Sequence, residues 1–436
     1  MKKVLLLISI LYCNIQLINA QSWLLTGNAG TNAATNFVGT TDAKPLNFRT
    51  NNLPSGLIDF ATVKANTSFG FQTLKAVKGN NNAAFGFKAS SLNTTGNFNA
   101  AFGSFALYSN TTGHSNIAIG GGALFKNKTS NNTVAIGDSA LYNQTNAVYN
   151  TAVGSKALYA NTSGAYNVAL GLQSLYSNTS GIQNVAIGTN ALLQNTTGNY
   201  NTSTGYQSLF SNQTGTQNTA NGYQALYHST ASLNTANGYR ALYTNTSGSF
   251  NTSSGTFSMY NNTTGYSNVA YGYSALYANT TGYHNTATGV LALYQNLSGY
   301  TNTATGYYSM YSNTTGSGND AHGNSSLYSN TTGSYNIAIG DQSMYNNTYG
   351  GENVAIGPSA LFNNIGSYYN TAVGYLALAY AEIPGYNNVA IGAFSGPDLN
   401  TEGVYNSVAI GEESITTASN QARIGNSSTT SIGGYV

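Results

Sequence analysis

Five-residue strings of the form Asn-(Thr/Val/Ile)-Ala-(Val/Ile/Thr)-Gly recur along the chain. Their alternation of small and β-branched residues predicts one short strand per string. The closing glycines fall at Gly103, Gly120, Gly137, Gly154, Gly171, Gly188, Gly205 and Gly222, each step being 17 residues. One step of 16 leads to Gly238, and steps of 17 then run through Gly255, Gly272, Gly289, Gly306, Gly323, Gly340, Gly357 and Gly374. Gly70 and Gly86 precede this run and Gly392 and Gly411 follow it with looser spacing, so that Gly70 to Gly411 spans 21 units. The consensus unit reads N-T-A-x-G-Y-x-A-L-Y-x-N-T-T-G-x-x. It is too short for helix-pair repeats of roughly thirty residues or more, or for propeller blades of about forty. It fits one coil of a β-solenoid, with two short strands and two turns. Asn-Thr-Thr-Gly supplies turn chemistry, since Gly tolerates positive φ and Asn caps its own turn. The Ala-Leu-Tyr stretch reads equally well as a second strand or as a single helical turn. The expected fold class is all-β, a parallel β-solenoid of about 21 coils and about 96 Å long at the usual strand spacing.

Stacked coils place equivalent residues in ladders, so reading ladders is reading faces. Two residues before each closing glycine is a small side chain: Ala118, Ala135, Ala152, Ala169, Ala186, Ser203, Ala220, Ala287, Ala338. Six residues later comes Leu or Met, from Leu124 and Leu141 through Leu242, Met259 and Leu276. A small ladder facing a Leu/Met ladder suits a thin interior packed at native density. The residues flanking the small one then point outward. They are apolar toward both ends of the array, at Ile117, Ile119, Val134, Ile136, Val185, Ile187, Ile337, Ile339, Val354 and Ile356. In the middle they are polar, as in Thr202, Thr204, Thr219, Asn221, Thr286, Thr288, Thr303 and Thr305. An exposed Val/Ile strip over several coils marks an interface, and the strip is read as a surface for self-association into a fibre. The alternative is that the strip fills the coil and the Ala ladder faces out.

Composition excludes several functions. Charged residues are 6%, against roughly 25% in a typical soluble domain, yet aromatics are 12%, which is no disordered signature. From Ser139 to Asn319 the only charged side chains are Lys156 and Arg240. That rules out a basic nucleic-acid footprint, the Asp-per-repeat pattern of a calcium-binding solenoid and most acid–base catalysis. At the N-terminus, Lys2 and Lys3 precede the apolar run Val4 to Tyr12, followed by Ile18-Asn19-Ala20. This is the layout of a secretory signal peptide cleaved after Ala20, and the run is too short to span a membrane as a helix. Cleavage would remove Cys13, the single cysteine, and leave 11 basic against 11 acidic residues. The expected organisation is therefore a signal peptide over 1–20, a leader over 21–65, the repeat array over 66–411 and a C-terminal link over 412–436, in an exported, disulfide-free chain with no membrane span.

The strings Asn116-Ile-Ala-Ile-Gly120, Asn184-Val-Ala-Ile-Gly188, Asn353-Val-Ala-Ile-Gly357 and Asn406-Ser-Val-Ala-Ile-Gly411 resemble the head repeats of trimeric autotransporter adhesins. The match covers roughly residues 66–411. The resemblance implies a left-handed parallel β-roll in which three chains pack with these strands at the centre, a homotrimer. The family's unit is about three residues shorter, which implies a longer outer limb here. The flanks Gly39–Asn52 and Ala422–Val436 resemble exported Bacteroidetes fibre proteins that carry a C-terminal endosialidase-type chaperone. The sequence stops at Val436, ahead of a chaperone, stalk or membrane anchor, which leaves open a truncated product.

Other chemistry is weaker. His114, His228, His284 and His322 occupy different places in their units. Asp320 and His322 lie two apart on one strand face, but no third ligand is near in sequence, so no metal, cofactor or catalytic residue is expected. Gly154-Ser-Lys-Ala lacks the spacing of a phosphate loop. The Asn-x-Ser/Thr triplets read as turn residues, and Asp138-Ser139-Ala140 is a short O-glycosylation-like motif. The strongest candidate surface is an aromatic ladder: Tyr108, Phe125, Tyr142, Tyr159, Tyr176, Phe210, Tyr227, Tyr243, Tyr260, Tyr277, Tyr294, Tyr311 and Tyr328. It serves either to stack coil on coil or to present an amphipathic surface to glycans or partner proteins. The expected function is a secreted or surface-exposed, non-enzymatic trimeric fibre acting as adhesin or spacer. Carbohydrate binding along the Tyr ladder is the alternative, and ice binding by the Thr-x-Thr strands is a third reading, interrupted by Asn221, Asn237, Tyr271 and His322.

Overall fold

A computed structural model describes residues 38–42, 44–59, 64–379, 385–398 and 403–431. The expected signal peptide and Cys13 lie outside the described residues. Two antiparallel strands, β1 (Leu46–Thr50) and β2 (Leu53–Ile58), open the structure, and β2 pairs antiparallel with β3 (Thr67–Phe69). From β3 onward every coil contributes a three-residue strand that pairs in parallel with the next, in most coils at a 17-residue register such as Ala118↔Ala135 and Ala135↔Ala152. The result is a 24-stranded sheet running the length of a parallel β-solenoid. The parallel stack continues past Gly411 to Ala422–Ile424. The hairpin covers the first coil's open edge, with Phe48 packed 5.4 Å from Phe69.

The interior is as thin as the ladders require. Ala118 and Leu124 are fully buried, and so is Ala123, a second small residue beside each Leu. The strip residues face outward: Ile117 and Ile119 are each 39% exposed around a fully buried Ala118. The alternative orientation, with the strip inside and Ala outside, does not hold.

Only in the last coils does the limb equivalent to Ala-Leu-Tyr form a short second strand, Gly396–Pro397 paired in parallel with Ile415–Thr416. In the regular coils the Ala-Leu-Tyr limb is neither a strand nor a helical turn. Its residues alternate in sign of φ, with Ser139 at 55° and Leu141 at 51° on either side of a residue in ordinary conformation. Alternate amides then have different duties. Ala140 and Gln144 donate to Gly137 and Leu141 three residues back, closing local turns. Leu141 and Asn143 donate to Ala157 and Tyr159 of the next coil at 3.0 and 3.2 Å. A Leu in left-handed conformation costs roughly 1–2 kcal/mol. It persists because that conformation aims its own amide at the next coil, satisfying a buried donor.

The two recurring glycines serve different ends. The strand-closing Gly154 has φ of 139°, a region only Gly occupies freely. A Cβ there would also strike the carbonyl of Gly171. The turn glycine of Asn-Thr-Thr-Gly, such as Gly164, has no left-handed φ, contrary to the expectation from turn chemistry. It is Gly because a Cβ would collide with the Gly181 carbonyl in the next coil and crowd the Asn161 side chain.

Two buried asparagine ladders carry the polar interior. In the first, Asn184 Nδ2 donates to Gly198 O at 2.8 Å, and Asn184 Oδ1 accepts the Asn201 amide of the next coil at 3.0 Å. In the second, Asn178 Nδ2 donates to Asn161 Oδ1 of the preceding coil at 2.9 Å and to Gly181 O of its own turn at 3.1 Å. Asn capping of its own turn is thus present, but each side chain also ties neighbouring coils together. One coil breaks both ladders at once. Thr133 replaces the first Asn and Gln144 the second. The longer Gln crosses the gap, donating to Thr133 Oγ1 at 3.3 Å and accepting from Asn150 and Asn161 at 2.8 and 3.2 Å. Gln144→Asn is expected to lose that span and destabilise the rod by about 1–3 kcal/mol. Adding Thr133→Asn to it should recover most of the loss, read as a coupling in urea-unfolding double-mutant cycles.

The 16-residue coil carries the opposite case. Ser229 stands in the second Asn ladder and is too short to donate to the coil before it, which leaves Asn212 Oδ1 buried without a partner. A buried orphan acceptor costs about 1–3 kcal/mol. Limited proteolysis is expected to cut first near Ser229–Ser232, and Ser229→Asn should slow that cut and raise the melting temperature. A first cut inside the regular coil from Gly164 to Gly181 would contradict this.

Candidate functional site: one apolar and three aromatic faces

The outward strand face is the longest continuous feature of the surface. It carries every strip residue expected from sequence, Ile117 through Ile356, one strand above another in parallel register. It is longer than the sequence reading made it. Phe69, Phe85 and Phe102 lie on the same line before Ile119, with Phe85 and Phe102 stacked at 5.0 Å. Ile391, Ile410 and Ile424 extend the second apolar block toward the C-terminal coils, at 42%, 37% and 51% exposure. Phe85 and Phe102 keep the 17-residue spacing, which was the available signal, whereas steps of 16, 18, 19 and 14 residues carry the line to Phe69, Ile391, Ile410 and Ile424 and hid it there. Between the blocks the same line reads Thr204, Asn221, Asn237, Ser254, Tyr271, Thr288, Thr305 and His322.

The expected aromatic ladder exists as a stack. Ten rings from Phe210 to Phe362 lie 5.0–5.4 Å apart with interplanar angles of 4–16°. An earlier stack joins Tyr108, Phe125, Tyr142, Tyr159 and Tyr176, and Leu193 separates the two. The rings are half-buried rather than fully outward. Each face of an inner ring is covered by the next ring, so the stack shows solvent its edges and hydroxyls. Two further aromatic lines were not singled out from sequence. One is Tyr206, Tyr223 and Tyr239, stacked at 5.2–5.3 Å. The other is Tyr266, Tyr283 and Tyr300, stacked at 5.0 Å. Their units do not all carry a ring, so neither stands out in a consensus. Arg240 lies 5.3 Å from the Tyr239 and Tyr243 ring centres and donates to Gln224 at 2.9 Å.

Among the titratable groups, burial pushes the Tyr243, Tyr294 and Tyr328 phenols above the usual 10, and repulsion from neighbouring tyrosinates adds to it. Burial lowers His228. Among the described residues no three His, Cys, Asp or Glu side chains gather as a metal cluster, and no helix is long and apolar enough to cross a membrane. Neither a family model nor a curated protein matches the chain.

The raised tyrosines fix the sign of a pH effect. The folded state holds the neutral phenol more tightly than the unfolded chain does. The stabilisation is therefore complete below the ordinary phenol value and is lost as pH rises through the higher folded-state value. Ultraviolet titration should show part of the tyrosine signal ionising later than free tyrosine, with the melting temperature falling over the same alkaline range. A titration matching free tyrosine throughout would contradict the stacked ladder.

Proposed function

We propose that the chain is an exported, non-enzymatic fibre that self-associates through its strand face, as a homotrimer in the manner of trimeric autotransporter adhesin heads, and serves as an adhesin or spacer. The observation that carries this is the strip itself. Two blocks of Phe, Ile, Val and Leu are left partly exposed on the strand face, in line over many coils. A monomeric soluble protein rarely leaves so long an apolar line uncovered, and a second copy offers the same line in the same register. The last coil supports the resemblance further, since Gly411 and Gly425 are 14 residues apart, the shorter unit that the family would have. The left hand of the coil and the kinship of the flanks with Bacteroidetes fibre proteins belong to the same proposal, as does export through the N-terminal segment.

The carbohydrate reading of the Tyr ladder is less favoured. Sugars stack on open ring faces, and here the rings cover one another. The ice-binding reading meets Asn221, Asn237, Tyr271 and His322 where a flat threonine array would be needed.

The test is a charge block. Ile117, Ile119, Val134 and Ile136 all changed to Asp would place carboxylates in the proposed interface, each costing several kcal/mol when buried. All four point away from the coil interior, so the solenoid should still fold by circular dichroism. Light scattering is expected to give trimers for the unaltered chain and monomers for the variant. A variant that stayed trimeric would place the interface elsewhere.

A further inference from the structure

Asp320 and His322 are the only Asp, Glu, Lys, Arg or His residues on the outward strand face between Thr67 and Ile424. They flank the fully buried Ala321 and point outward. Their parallel neighbours are Thr303 and Thr305 on one side and Ile337 and Ile339 on the other. A carboxylate is thus set at the edge of an apolar block, with no basic side chain on the adjoining strands to offset it. Asp320 Oδ1 lies 2.8 Å from His322 Nε2, so an imidazole nitrogen and a carboxylate oxygen already sit side by side.

We propose that self-association completes a divalent metal site from the Asp320–His322 pairs of neighbouring copies, of the kind that takes zinc. The inference rests on the self-association reading above. Its register follows from the strip. Parallel, in-register copies set every rung against its own chemistry: apolar on apolar, threonine on threonine, and pair on pair. An antiparallel, full-length overlap instead sets Asp320 and His322 against Val168 and Leu170, burying charge against an apolar rung. One chain offers two donors, which is too few to hold the ion. Two copies offer four and three offer six, enough for the tetrahedral nitrogen and oxygen set zinc prefers. The ion also answers an electrostatic need, because carboxylates brought together on such a face repel unless a cation lies between them. The coils themselves are held by their ladders and do not depend on the ion.

The experiment equilibrates the untagged full-length chain with zinc chloride and separates it by size exclusion. Light scattering then counts chains, and elemental mass spectrometry counts zinc in the same peak. The expected result is one zinc per assembled particle. His322→Asn and Asp320→Asn should each retain less than a tenth of it while keeping the particle's size. An assembled particle without zinc overturns the metal site and leaves the fibre standing. So does one zinc per chain, or zinc retained by His322→Asn. A chain that stays monomeric with and without zinc overturns the self-association reading, and the site falls with it.

Discussion

The constraint on which the rest of the structure depends is that no coil can satisfy its own backbone. Half of the amides in the Ala-Leu-Tyr limb, and those of the strand, find their acceptors in an adjacent coil. The asparagine ladders are the side-chain form of the same dependence. Asn184 takes an amide from the coil after it, and its own amino group reaches the turn carbonyl of that coil. A 17-residue loop alone would leave these groups buried and unpaired, at a cost no core of three small or medium side chains could offset. Stacking converts each liability into a bond. Stability is then a chain of nearest-neighbour terms rather than the property of one hydrophobic core.

That constraint also explains the side-chain economy. The backbone bonds fix the distance between coils, so the strand-closing corner is glycine in every coil and the turn corner is glycine in most, with Ser130, Ala147, Ala231 and Ser367 among the exceptions. The strand's inward position is Ala or Ser in every coil before the last, where it is Arg423, and only one inward position per regular coil has room for Leu or Met. Residues facing out are free of these demands, and it is there that the chain varies: apolar at both ends, threonine and asparagine between, aromatic along three lines.

Much of this was legible in the sequence. The spacing of the closing glycines defined the coil. The contrast between Ala118 and Leu124 told inside from outside, and the apolar strip followed by elimination. Three things were not legible. The left-handed φ of Leu141 could not be read, because no propensity favours Leu in that conformation; it is imposed by where its amide must point. The reason for Gly164 was hidden, since a steric demand between coils and a conformational demand within a turn both select glycine. The strip's full extent was obscured where coil lengths vary, so that Phe69 and Ile410 did not align by counting. What the aromatic lines do was undecided by composition. Their stacking explains why rings recur at one place in the coil, and burial of their faces argues against a sugar platform.

The exchange at Thr133 and Gln144 shows a general property of such a ladder. Two changes within one coil are absorbed largely inside it: Gln144 bonds Thr133 and reaches forward to Asn150 and Asn161, while the parallel strand register is kept on both sides. Each regular coil meets its neighbours through the same small set of bonds, whatever it displays outward. Duplicating or deleting a whole unit would therefore alter the molecule's reach by one rung while leaving every remaining junction chemically the same. Length in this architecture is a quantity that gene duplication can adjust in single steps, independently of the surface each step exposes.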